Sequence, residues 1–231
     1  MYIKISCFAV NPNYQNYWRM LKIKSFVFSP IQENTYLLYN EFNNCAIIDP
    51  GCYFDAEKEQ LVGFIQKNGL QPQMLLNTHC HLDHVFGNKY IAGTYGLTLQ
   101  LHEKEKVVLD FAPASGLMYD MPFDNYVGEF IYLKEGDTIT IGTDKLTIIE
   151  APGHSPGHVC FYCAQQNFLI GGDVLFNRSI GRTDLPLGNH QTLLNSIRQK
   201  LFVLLDETVV YSGHGPTTTI GEEKRENPFL N

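Results

Sequence analysis

The sequence predicts an α+β chain whose short strands end in polar loops carrying metal-binding side chains. Three observations predict it. Apolar and polar residues alternate with a period of two in Leu21–Phe28, as in a half-buried strand, and other short stretches such as Leu146–Ile149 also read as strands. Between them lie segments with helical spacing, such as Phe54–Lys67 and Gln191–Phe202. The run Thr78-His79-Cys80-His81-Leu82-Asp83-His84 directly follows the strand-like Met74-Leu75-Leu76. A ligand-bearing loop at a strand end suits metal chemistry, because the sheet holds the backbone while the loop aims the side chains.

Residues 1–19 carry aromatic and amide residues but no helical or strand period, and are read as an extension, disordered or an over-long start. No signal-peptide pattern is recognised in them. The domain is expected to span 20–231. Strands are expected at Leu21–Phe28, Asn34–Tyr39 and Cys45–Ile48, the last two joined as a hairpin through Asn43-Asn44. Phe54–Lys67 reads as a helix with Leu61, Phe64 and Ile65 on one face and Asn68-Gly69 as its stop. After the ligand run come a helix at roughly Val85–Tyr95, a strand Leu97–Leu101 and a short helix Glu103–Phe111. Ala112–Phe130 shows no clear period and reads as a lid or surface loop. Strands return from Ile131: Ile139–Ile141, Lys145–Glu150, His158–Cys163, Phe168–Ile170 and, after the helix Gln191–Phe202, Thr208–Tyr211. The tail ends in the polar run Gly221–Glu226.

At 231 residues, with 44% hydrophobic and 18% charged residues, the composition is that of a globular chain. The net charge of -7 argues against a broad nucleic-acid footprint. No apolar run reaches the length of a membrane span, so neither nucleic acid nor membrane is expected as a partner. The 6 cysteines are scattered. Cys160 and Cys163 are spaced like half a zinc knuckle, but three apart on a strand they face opposite sides. Buried free thiols in a reducing cytosol are the better reading, and a cytoplasmic protein is expected.

In an extended segment, positions two apart point the same way, so His79 and His81 can grip one ion together. Asp83 and His84 follow a turn and point to a neighbouring position, which makes the run half of a two-metal site. Zinc takes three protein ligands in an open catalytic site and four in a closed one, so further ligands are demanded at other strand ends. His154, Asp173 and His214 supply them, each in a glycine-rich turn just past an apolar strand. Singly, each is an ordinary turn residue; together they form a pattern.

The pattern resembles the metallo-beta-lactamase superfamily, and within it the short glyoxalase II-like hydrolases. The resemblance runs from Met20 nearly to the end through Ile48-Asp49-Pro50-Gly51, Thr78–His84, Pro152-Gly153-His154, Gly172-Asp173 and Gly213-His214-Gly215. It implies a four-layer αβ/βα sandwich with the metals at one edge. Carried over by motif, one ion takes His79, His81 and His154, a second takes Asp83, His84 and His214, and Asp173 bridges both. Asp49 resembles the residue that orients a ligand imidazole; the alternative is a turn residue before Pro-Gly. True beta-lactamases of the superfamily mostly place Cys where this chain has Asp173. Classical glyoxalase II continues into a glutathione-clasping helical domain, for which the stretch after Pro216 is too short. Ser179-Ile180-Gly181-Arg182-Thr183-Asp184 resembles a turn of short glyoxalase II-like enzymes and persulfide dioxygenases. Arg182 is a candidate to meet a substrate carboxylate; the alternative is an ion pair with Asp184. His102, His158 and His190 read as surface, strand-start and helix-start residues, His158 with a possible supporting role at the site.

The resemblance implies two divalent ions, zinc first, with iron or manganese as alternatives. Such a pair brings the pKa of a shared water to about 7, and Asp83 and Asp173 are the carboxylates expected to act in catalysis. With no separate general acid, a thioester of the S-lactoylglutathione type is favoured, because a thiol of pKa about 8.5 leaves readily. The competing reading is a mononuclear iron persulfide dioxygenase using His79, His154 and Asp173. A third is a metal-loaded binding module without turnover, whose hallmark would be a missing ligand.

Overall fold

The structure, a computed structural model, describes residues 20–230; the extension expected at 1–19 lies outside them. The first half of the fold contains β1 (Lys22–Phe28), β2 (Glu33–Tyr39), β3 (Asn44–Ile48), α1 (Asp55–Lys67), β4 (Gln71–Leu76), α2 (Leu82–Val85), α3 (Asn88–Tyr95), β5 (Leu99–His102), α4 (Glu105–Met118) and β6 (Phe130–Leu133). The second contains β7 (Thr138–Ile141), β8 (Asp144–Glu150), β9 (Val159–Cys163), β10 (Phe168–Gly172), β11 (Leu175–Phe176), β12 (Ser179–Ile180), α5 (His190–Ser196), β13 (Val209–Ser212), β14 (Thr218–Thr219) and α6 (Ile220–Glu226). A π-helical segment, Ile197–Leu201, continues α5.

Two six-stranded sheets form, ordered β1-β2-β3-β4-β5-β6 and β14-β13-β10-β9-β8-β7. Three apolar layers hold them. Leu38, Ala46, Ile48 and Leu76 meet Ile148, Phe161 and Ile170 between the sheets. Leu37, Cys45, Ile47 and Leu75 face the other way, onto Leu61, Ile65, Ile91 and Leu109 of the helices. Cys160, Leu169 and Val210 pack under Leu193, Ile197 and Ile220. The result is the four-layer αβ/βα sandwich. Alternation along β3 divides its residues between two cores, and a strand covered on both faces must be apolar throughout. The same alternation puts Cys160 in the outer core and Cys163 in the inner one.

Strand direction gathers the ligand loops. β3 and β4 run parallel. β8 and β10 are both antiparallel to β9, and β10 runs parallel to β13. Asp49, the His79–His84 run, His154, Asp173 and His214 all lie just beyond the carboxyl ends of these strands.

Several expectations need correction. The helix expected at Val85–Tyr95 is two, α2 and α3, because the Gly87 N–H donates to the Pro50 carbonyl at 2.7 Å at the break. Asp83 and His84 therefore sit in a helical turn. Ala112–Phe130 is not all loop: α4 runs through Pro113 to Met118. Proline removes the donor that the Leu109 carbonyl would receive, and the Asn125 side-chain amide donates to that carbonyl instead, at 2.7 Å. The polar run Gly221–Glu226 is helical, with Thr219 capping α6 by accepting from the Glu222 N–H. No helix among the described residues is long and apolar enough to cross a membrane.

Candidate metal centre

Asp49 closes β3 in a left-handed conformation, φ 48°, and its carboxylate is turned back towards the loop after β4. It accepts from the Thr78 N–H at 2.7 Å, the Thr78 hydroxyl at 2.5 Å and the Asn77 amide at 3.1 Å. Nδ1 of His84 lies 3.1 Å away. Since the Thr78 hydroxyl donates to Asp49, its oxygen is free to accept from Nδ1 of His79, 3.1 Å away. One carboxylate thus orients two imidazoles, one directly and one through a hydroxyl.

The first cluster is His79, His81 and His154. Nε2 of His154 stands 3.2 Å from Nε2 of His79 and 2.8 Å from Nδ1 of His81. His154 donates its Nδ1–H to the Arg182 carbonyl at 2.7 Å. With both Nδ1 atoms serving as donors, the Nε2 atoms of His79 and His154 present lone pairs to each other. Burial, reinforced by the neighbouring histidines, holds the pKa of His79 well below the usual imidazole value, and burial pushes His81 down to about 3. His154 is also lowered by burial, against the pull of Asp173. Three neutral imidazoles with converging lone pairs repel one another unless a cation lies between them.

The second cluster is Asp83, His84 and His214. Nε2 of His214 is 3.1 Å from Oδ2 of Asp83, and Nε2 of His84 is 3.7 Å from the same oxygen. His214 turns its Nδ1 to the Gln32 carbonyl at 3.1 Å. Asp173 lies between the clusters. Its Oδ1 is 3.5 Å from Nε2 of His84, and its Oδ2 is 3.6 Å from Nε2 of both His154 and His214. A Cβ at Gly213 would overlap Oδ1 of Asp173, so that position has no room for a side chain.

Burial opposes charge on His84, but Asp173 and Asp83 outweigh it and hold its pKa well above the usual value. His214 is raised in the same sense, against burial, by its hydrogen bond with Asp83 and by Asp173. Burial alone would raise both carboxylates, yet His84 and His214 hold Asp83 low, and with His154 they hold Asp173 low. Nε2 of His84 and Oδ1 of Asp173 are buried without a hydrogen-bond partner. Two orphaned polar atoms facing the same space, beside lone pairs aimed at each other, fit a pair of metal ions. Asp49 also forms a possible cluster with His79 and His84. Its oxygens, however, are already filled by four donors, so it serves as the group behind the imidazoles.

The structure thus brings together all seven predicted ligands, with Asp49 behind them. It does not bring the Arg182 guanidinium: Nε and a terminal nitrogen donate to the two oxygens of Asp184, each at 2.7 Å. Only the Arg182 carbonyl touches the site. His158 is buried, stacks on His79 with ring centroids 4.9 Å apart, and accepts from the Asp173 N–H at 3.0 Å. His102, expected on the surface, is buried and meets Glu150 at 3.2 Å. His190 is exposed at the start of α5. Sequence reasoning missed Thr78 as an orienting group, although it lies inside the ligand run. It also missed Glu105, which has no local signature and bonds only to residues distant in sequence.

Residues 29–214 match the family described as the metallo-beta-lactamase superfamily. The chain is 37% identical over 213 residues to hydroxyacylglutathione hydrolase GloC of Haemophilus influenzae, covering 91% of this chain and 99% of that protein. Its fold is similar to the crystal structure of BLEG-1, described as a B3 metallo-beta-lactamase, with a TM-score of 0.83 and 40% identity over 91% of this chain and 100% of that one. TTHA1623, solved in a di-iron-bound form, matches with a TM-score of 0.82 and 35% identity over 90% of this chain and 100% of that one. His/Asp clusters such as these are typical of the dinuclear sites of that group. The family match, the shared fold and the two clusters together show that this chain belongs to the metallo-beta-lactamase superfamily, as a metallo-hydrolase.

Proposed function

We propose that this chain is a dinuclear-metal hydrolase acting on thioesters of the S-lactoylglutathione type. The observation that carries the reading is Asp173, whose two oxygens approach members of both clusters. His79, His81 and His154 would hold one ion; Asp83, His84 and His214 would hold the other; Asp173 would serve both. Such ions supply Lewis-acid charge and an acidified water. Asp49, through Thr78 and His84, fixes the imidazole tautomers. Asp83 is held ionised by His84 and His214 against burial, so its carboxylate can accept a proton from an incoming water. His158 and the Arg182 carbonyl keep Asp173 and His154 in place. The two clusters themselves consist of histidines and aspartates, with no lysine or tyrosine among them to protonate a leaving group. That favours a leaving thiolate over an amine, and the similarity to hydroxyacylglutathione hydrolase GloC supports the same substrate class. Zinc is the proposed metal, with iron or manganese as alternatives; the di-iron form of TTHA1623 keeps iron in the test. A cytoplasmic location belongs to the same reading, supported by five described cysteines that are free and buried.

Sulfur oxidation at a single iron is the second reading. It is favoured by the approach of His154 to Asp173 at 3.6 Å, beside His79. The test is a substrate panel on zinc-loaded and iron-loaded protein: S-lactoylglutathione, a second thioester, a β-lactam, and glutathione persulfide with an oxygen electrode. Thioester turnover without persulfide-dependent oxygen uptake is expected. Oxygen uptake that survives both Asp83→Ala and His84→Ala would replace the hydrolase with the dioxygenase. Turnover of the β-lactam alone would replace the thioester.

A further inference from the structure

We propose that Glu105 is a positioning residue that clamps the two loops bearing His79, His81 and His154, and thereby sets the affinity of the ion held there but not of the other. The proposal rests on the dinuclear reading above. Glu105 opens α4 and is fully buried. Its Oε2 accepts from the Cys80 N–H at 2.8 Å. Its Oε1 accepts from the Ser155 hydroxyl at 2.6 Å and the Gly157 N–H at 2.7 Å. Cys80 is the link between His79 and His81, and Ser155 follows His154 directly. One carboxylate therefore ties together, from behind, residues that flank every member of the first cluster.

The second cluster has its own supports. Asp49 meets His84 and the Gln32 carbonyl meets His214; none of the Glu105 bonds reaches Asp83, His84 or His214. Among the described residues, no lysine, arginine or histidine forms an ion pair with Glu105. Burial pushes its pKa up, and the three donors pull it back. All three partners donate, to two different oxygens, so the side chain must offer acceptors on both of them, which a carboxylate does and an amide does not.

Glu105→Gln preserves the shape but offers one acceptor oxygen, so one arm of the clamp meets an N–H instead. In a chelator-competition titration with zinc, one of the two ions should weaken by about tenfold or more, the usual effect of losing an outer-shell partner. The other should stay within about twofold. Combined with His214→Ala, the remaining ion should show the full loss; combined with His81→Ala, it should show none. A general structural role would weaken both ions together. If Glu105→Gln does not fold, Ser155→Ala keeps the carboxylate and removes one donor; it should weaken the same ion by at least about threefold, the loss of one hydrogen bond. Two ions in the parent chain that weaken equally, or not at all, would overturn the clamp alone. A parent chain that binds fewer than two ions would overturn the dinuclear reading, and the clamp with it.

Discussion

Nδ1 of His84 lies 3.1 Å from the Asp49 carboxylate, which leaves Nε2 facing Asp83 and Asp173. Asp49 achieves this from a positive φ, a conformation that Asn also tolerates. Asp49→Asn should therefore fold, while its amide N–H opposes the His84 N–H. Metal affinity should fall by about tenfold or more, and kcat should fall with KM little changed. Unchanged zinc content after dialysis against a chelator would remove Asp49 from its orienting role.

Asp173 reaches both clusters, and His214 belongs to one. Elemental analysis should find Asp173→Ala depleted in both ions, whereas His214→Ala should retain the ion of the His79, His81 and His154 cluster. Asp83→Ala and His84→Ala should each lower thioester turnover by about a hundredfold or more, since charge stabilisation at the reacting carbonyl is lost. Retention of two ions in Asp173→Ala would sink the bridging role.

Metal uptake should release protons. In the metal-free protein His84 and His214 have raised pKa values, His84 mainly through Asp173 and Asp83 and His214 through its hydrogen bond with Asp83, in each case against burial. A raised folded-state pKa contributes stability below the unfolded pKa that is lost as pH rises through the folded value. Both rings thus hold their protons to higher pH than an ordinary imidazole does, and metal must displace those protons. Affinity should rise with pH, and calorimetry in two buffers of different ionisation enthalpy should show at least about one proton released per chain at pH 7. No dependence on buffer would contradict this.

Gly153, immediately before His154, has φ 136°, and a Cβ there would run into the backbone of Leu193. Gly153→Ala should destabilise the metal-free protein by more than about 1 kcal/mol, read as a lowered midpoint in urea. A neutral substitution would mean that the loop can move away from α5 without cost.

Arg182 and Asp184 are both exposed and bonded to each other. The exposed pair contributes little to stability, and the carbonyl that holds His154 is main chain. Arg182→Ala should leave zinc content, melting temperature and thioester KM essentially unchanged. A large rise in KM would show that the guanidinium leaves Asp184 for the substrate.

What the sequence determined by itself was local. Alternation and short apolar runs placed most of the strands but not the two-residue β11, β12 and β14, and the period of two divided Cys160 from Cys163 between two cores. Ligand side chains next to strand ends marked seven candidate site residues, and the family resemblance added Asp49. What tertiary structure alone decided depends on partners far along the chain. Asn125 lets α4 pass Pro113 by supplying a donor to Leu109 from 16 residues away. Glu105 meets Cys80 and Ser155 across 25 and 50 residues. His102 is buried and meets Glu150, 48 residues on. A periodicity reports which face of an element is covered, but a hydrogen bond is made by whichever donor the fold brings within about 3 Å, and no local pattern carries that.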